Sequence, residues 1–254
     1  MIYELNKSEK QLLKKIEEAY YMQPSLDLIN SRIKKAKDKK SEWKIIFNYL
    51  HDFLRNSQEK VEKLLEQRKA EGTINDIPQA RKSVVGNAFS HLIIYTLLQN
   101  KICGNIKPQI FITSETSKIP NFEQISTINI DGETQKPDVD LVIYSLKEDN
   151  QLDKCIILSL KTSLRERAGQ TYKWKLLMEI ASSENAIKEK YNIQYNPDVI
   201  PLVCFATVNF YNEINNPQHR GMFKFFDKSF IGKPIDTDFI SSLSQIIDYV
   251  NETL

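Results

Sequence analysis

The sequence predicts an α/β fold, a central mixed β-sheet flanked by helices, with a helical subdomain ahead of it. Three observations predict it. Two short runs, Pro137–Tyr144 and Cys155–Ser163, are rich in Val, Ile and Leu and bounded by polar residues, as buried strands are. A third run, Val199–Val208, has the same character. Around them, apolar residues recur at helical spacing, so the order reads helix, strands, helix, strand.

From Ser8 to about Gly72 the period is helical throughout. Leu12, Leu13, Ile16, Ala19 and Tyr20 form one apolar set, Trp43, Ile46, Phe47, Leu50 and Leu54 a second, and Val61, Leu64 and Leu65 a third. Thr73–Pro78 holds turn formers and a proline, which predicts a boundary between a helical subdomain (1–75) and a second domain (76–254). Ser83–Gln99 reads as a helix with Val85, Ala88, Phe89, Leu92, Ile93 and Leu97 on its apolar face. Gln109–Thr113 reads as a short strand, and Asn121–Gln135 as polar loop with room for a strand pair. The charged connector Ser145–Asp153 makes the two central runs an antiparallel hairpin. Leu164–Ile180 returns to a helical period, continued to about Lys190. Met222–Asp227 alternates weakly and predicts an edge or late strand. Phe239–Val250 predicts a closing amphipathic helix.

Composition narrows the function classes. The chain has 254 residues, 41% hydrophobic and 27% charged, and a net charge of +2. Bulk charge therefore does not announce a nucleic acid, and a DNA partner would need locally clustered basic residues. The run Arg32–Lys40 is one such cluster, suited to a solvated helix face or to phosphates. No apolar run approaches the ~20 residues that span a bilayer, and Met1–Lys7 is not a signal peptide. Cys103, Cys155 and Cys204 lack metal-ligand spacing, as free thiols in a reducing cytoplasm would.

The chemistry concentrates in the hairpin. Asp138 and Asp140 stand at the entrance of its first strand, and Lys161 closes the apolar run of its second. An ammonium there needs a partner, because burying it alone is unfavourable. Asp138 or Asp140 on the neighbouring strand can supply one. An aspartate also takes a hard cation such as Mg²⁺, and a lysine beside it can position the attacking water. Asp140 directly precedes the apolar run and is better fixed by the sheet, so it is the first choice of metal ligand and Asp138 the second.

Pro137-Asp138 (or Asp140) with Ser159-Leu160-Lys161 resembles the motif of the PD-(D/E)xK nucleases, the fold of most Type II restriction endonucleases. The departure is Ser159, where the family carries an acid. Gly86-Asn87-Ala88-Phe89 resembles the opening of that family's first core helix; Ser90 and His91 then stand where it often has an acid, and His91 reads as structural. Lys161-Thr162-Ser163-Leu164-Arg165-Glu166-Arg167 resembles the Lys-Thr-Ser-Ile-Arg-Asp-Arg run of BsaWI-type enzymes, which read CCGG-centred sites. His219-Arg220-Gly221-Met222-Phe223 and Phe226-Asp227-Lys228 resemble later segments of that group.

The resemblance implies a Mg²⁺-dependent, cytoplasmic homodimer that cuts double-stranded DNA at a short palindrome, alongside a cognate methyltransferase. Its CCGG-reading branch recruits a helix glutamate where Ser-x-Lys lacks the acid. Glu166 and Glu179 are the candidates here, and Glu179, flanked by apolar residues, is the choice. The expected site is Asp140, Lys161, Glu179 and Ser159, with Asp138 as a further metal ligand. Arg165, Glu166, Arg167, Gln170, Lys173 and Ser163 would contact DNA, with Lys175 beside them, and the helical subdomain would dimerise or embrace the duplex. The rivals are a non-cleaving DNA-binding module on a decayed nuclease fold, a sequence-nonspecific repair nuclease, and an interaction scaffold.

Overall fold

The computed structural model describes residues 3–164, 166–209, 213–233 and 237–254, with side chains described except at 166–168. The chain forms two compact units. One holds the residues up to Pro108 together with Ser242–Asn251; the other holds chiefly Gln109–Ile231.

The first unit is helical: α1 (Lys7–Glu18), α2 (Gln23–Lys35), α3 (Lys39–Ile45), α4 (Leu50–Ala70) and α5 (Ile77–Ile102). Each start has a local cause. Asn6 and Glu9 close a reciprocal capping box on α1. Pro24 sits in the first turn of α2, where its missing N–H is no loss. Asp38 caps α3, and Asp76 accepts from the Gln79 amide to cap α5. Asp76 thus starts α5 at Ile77, six residues before Ser83, and every residue from Leu92 to Leu98 is buried. The boundary expected at 75/76 coincides with the α4–α5 turn, and the first compact unit continues through α5 to Pro108. At its centre the Lys101 ammonium donates to both carboxylate oxygens of Glu9, at 2.7 and 3.0 Å, with both side chains almost wholly out of water.

The second unit is built on a sheet. Its strands are β1 (Ile110–Thr113), β2 (Ile128–Ile130) and β3 (Glu133–Gln135), then β4 (Leu141–Leu146) and β5 (Leu152–Lys161). After helices α7 (Glu166–Ala181) and α8 (Ala186–Lys190) come β6 (Ile193–Gln194), β7 (Leu202–Thr207), β8 (Lys228–Ile231) and β9 (Ser241–Ser242). Short helices α6 (Phe122–Ser126) and α9 (Pro217–Gly221) fill connections, and α10 (Ile246–Thr253), which follows the last strand, belongs through Asn251 to the first unit. The main sheet runs β1-β4-β5-β7-β8-β9. β1, β4 and β5 pair antiparallel, whereas β5–β7 and β7–β8 are parallel. β4 and β5 are buried on both faces, which is why each reads as an unbroken apolar run. α7 crosses over between β5 and β7, and its Trp174 and Met178 join Val142, Ile157, Val203 and Phe205 in one core.

The polar stretch at 121–135 makes a second sheet, ordered β3-β2-β6. Its hairpin turns at Asp131-Gly132, both at positive φ, the conformation a two-residue turn demands. The edge or late strand expected at Met222–Asp227 is instead a 3₁₀ turn at Met222–Phe225, and the strand lies just beyond, at Lys228–Ile231. Phe223 and Phe226 both pack on the Phe205 ring, so their spacing of three serves a turn, not an alternating strand. The closing helix likewise starts late, after β9 and a Ser242–Gln245 capping box. Among the described residues no helix is long and apolar enough to cross a membrane.

Replacing Lys101 with Ala removes the counter-charge of a buried carboxylate and is expected to destabilise the chain by about 3–5 kcal/mol. Lys10→Ala, which breaks an exposed pair with Glu4, should leave stability almost unchanged. Urea unfolding of the two variants checks both.

Candidate active site

The register of β4 and β5 builds the site. Leu141 faces Leu158 across the antiparallel ladder. Carried past its last pair, the same register sets Asp140 against Ser159 and Asp138 against Lys161. Side chains alternate along a strand, so these four residues share one face. The contacts agree. The Lys161 ammonium donates to Asp138 Oδ2 at 2.7 Å and to Asp140 Oδ2 at 2.8 Å. The Leu160 amide donates to the same Asp140 oxygen at 2.7 Å, and the Ser159 hydroxyl lies 3.5 Å from it.

Burial differs sharply within the cluster. The Lys161 side chain is 7% exposed and that of Asp140 22%, while Asp138 is 56% exposed. A nearly dry ammonium therefore meets two carboxylates that open towards solvent, and the three groups carry a net charge of −1. Ser159 is fully buried and exchanges a 3.1 Å hydrogen bond with Thr171 on α7. On its other flank Lys161 pairs in parallel with Thr207, so the cluster lies at the carboxyl ends of β5 and β7. That is where open α/β sheets place their ligands.

The segments leaving these strands are tied together. The Ser163 hydroxyl donates to both oxygens of Glu213, at 3.2 and 3.0 Å, and the Leu164 amide donates to Glu213 Oε2. Asn209, at a φ of 50°, turns the chain after β7 and accepts from the Ile214 amide. Ser163, expected at the DNA, is thus anchored through its hydroxyl to Glu213.

Glu179 is not brought to this cluster. It lies eight residues beyond Thr171, about 12 Å along the helix axis at 1.5 Å per residue. It shares the exposed face of α7 with Gln170, Lys173 and Leu176, while Thr171, Trp174, Lys175 and Met178 turn inward. There it accepts from Lys175 at 3.1 Å. Lys175, expected among the DNA contacts, is itself buried and donates to Asp227 at 2.9 Å, while Asp227 also accepts from the Val203 amide. Gln170 and Lys173 are exposed, as contacts to a ligand require. Arg165 lies outside the described residues, as do the side chains of Glu166 and Arg167. His91, in the first unit, meets the Tyr21 hydroxyl at 3.1 Å, and burial lowers its pKa, as for a structural histidine.

Among the described residues no three or more His, Cys, Asp or Glu side chains group to hold a metal ion. Two carboxylates converging on one point still suit Mg²⁺, which keeps several waters and takes one or two carboxylates plus substrate phosphates. Asp138 and Asp140 would hold it. Thr171, Glu213 and the Leu160 amide escaped the sequence reading. Glu213 reaches Ser163 from 50 residues away, and nothing local signals that contact.

Among known proteins, the profile of the family described as BsaWI restriction endonuclease type 2 matches residues 118–252. That span contains Asp138, Asp140, Ser159 and Lys161 and exceeds half of the 254 residues. No curated protein matches the chain. With its mixed sheet, flanking helices and a majority of its length matched, the chain belongs to the BsaWI family of type 2 restriction endonucleases.

Proposed function

We propose that the chain hydrolyses phosphodiester bonds of double-stranded DNA with Mg²⁺, at a short palindrome centred on CCGG, through a site of PD-(D/E)xK type. The observation that carries it is the meeting of Asp138, Asp140 and Lys161 on one strand-end face inside the family-matched span. When bound, Mg²⁺ supplies a Lewis acid for the charge that develops on the scissile phosphate. Lys161, held by both carboxylates, has one proton left, and with it orients the attacking water. Asp140, fixed by the Leu160 amide, is the firmer of the two acids. Glu179, on the exposed face of α7, takes no part in the chemistry.

Base readout falls to Arg165, Glu166 and Arg167, with Gln170 and Lys173 beyond them on α7. Arginine paired to guanine O6 and N7 is the commonest specific contact, and Glu166 can accept from cytosine N4. A palindromic site calls for a two-fold protein, hence a homodimer. A cognate methyltransferase in the same cytoplasm would shield the cell's own copies of the site. The rival is a DNA-binding protein that does not cut. It is favoured by Ser159, a fully buried hydroxyl where the resemblance expects an acid.

Digestion of unmethylated phage DNA separates the two. Discrete fragments that vanish with EDTA are expected; a smear would mean a nonspecific nuclease, and intact DNA that still shifts in a gel would mean binding alone. Lys161→Ala and Asp140→Asn should each slow cleavage at least ~100-fold, as loss of one charge-stabilising group does, with specific binding kept. Glu179→Gln should cut within about threefold of the unaltered chain, and a loss as large as that of Lys161→Ala would restore it to the site. Arg165→Ala should lose about 1–3 kcal/mol of discrimination between cognate and single-mismatch duplexes; unchanged discrimination would remove it from base readout.

A further inference from the structure

We infer that the turn between α2 and α3 is a phosphate-binding anchor, a second contact with duplex DNA carried by the helical unit. Residues 34–41, Lys-Lys-Ala-Lys-Asp-Lys-Lys-Ser, hold five lysines against one aspartate, a net charge of +4. The whole chain carries +2, so everything outside these eight residues sums to −2. The excess of positive over negative charge is thus concentrated at one turn.

The turn is built to display those charges. Lys34, Lys35, Lys37, Lys39 and Lys40 are all exposed, and none is salt-bridged to a described residue, although the Lys40 charge is felt by Asp38. Some exposed lysines elsewhere do so: Lys10, Lys14, Lys63 and Lys118 hold Glu4, Glu18, Glu59 and Glu115. Asp38, the one acid in the run, is committed to the backbone. It accepts from the Ser41 hydroxyl and from the Ser41 and Lys40 amides, which together with the Lys40 charge lower its pKa. Arg32 is withdrawn as well: its guanidinium pairs with Glu42 and stacks 3.5 Å over the Tyr49 ring. That clamp joins α2 to α3 and fixes the turn.

Folding alone does not account for the five. Lys34 and Lys35 suit the C-terminal end of α2, but Lys39 and Lys40 open α3, where positive charge opposes the helix dipole. Point charges on long flexible stems, without planar groups, suit phosphates and not base edges. The anchor should therefore strengthen binding equally on all sequences. It presupposes that the chain acts on DNA, and it is separable from the catalytic cluster.

The test uses the full chain and a labelled 30-base-pair duplex without CCGG, with affinity followed by anisotropy across a salt series. Each phosphate contact adds ~0.9 to the slope of log K against log salt. Changing Lys34, Lys35, Lys37, Lys39 and Lys40 together to Gln should lower the slope by roughly 4 and weaken low-salt binding at least ~100-fold. On cognate DNA the same variant should show a raised KM and an unaltered kcat. The control carries Gln at Lys7, Lys10, Lys14, Lys15 and Lys63, five exposed lysines of the same unit. An unchanged slope in the first variant, or an equal fall in the control, overturns the anchor. If Lys161-dependent cleavage persists in either case, only the anchor is lost. If the unaltered chain neither binds nor cuts duplex, the DNA reading itself fails.

Discussion

Lys161 carries an ammonium almost wholly out of water between two carboxylates, and that arrangement constrains everything around it. Removing a charge from water is unfavourable by several kcal/mol unless opposite charge and hydrogen bonds replace the solvent. Asp138 and Asp140 can do so only if β4 and β5 keep their register, because a slip of one residue would turn both acids to the other face. The Leu160 amide then fixes Asp140, Ser159 ties the strand to Thr171, and Glu213 holds the chain as it leaves for α7.

Geometry of this kind does not identify an active site unaided. The unit contains a second buried lysine with two carboxylates: Lys175 with Asp227 and Glu179. Exposures match closely, at 25% and 54% for the two acids, and Asp227 also accepts from a strand amide. Position separates the clusters. Val203 lies near the start of β7, so Lys175 and Asp227 brace a strand entrance. Lys161 and Thr207 end their strands, the end at which open α/β sheets place their ligands.

Much of this was legible because β4 and β5 are buried on both faces, so their apolar runs are continuous and abrupt. The acids at one boundary and the lysine at the other stood out against them. α7 was harder. Exposed Leu176 and buried Lys175 blur its period, and Glu179, set among apolar neighbours, looked buried when it is not. Phe223 and Phe226 misled for a similar reason, since aromatic residues three apart mark a turn as well as a strand. The hairpin at Asp131-Gly132 had its signal in plain sight, the dipeptide that accepts two positive φ angles. Glu213 had none, because contacts between distant segments leave no periodicity.

The register of β4 on β5 has one more consequence. The acids stand at the entrance of one strand and the ammonium at the end of the other, and only the closed ladder presents them together. Under the proposed chemistry, a chain in which β4 and β5 have not paired would lack the assembled set. Formation of the core sheet and assembly of that set would then be one event, so an unfolded polypeptide would be disarmed.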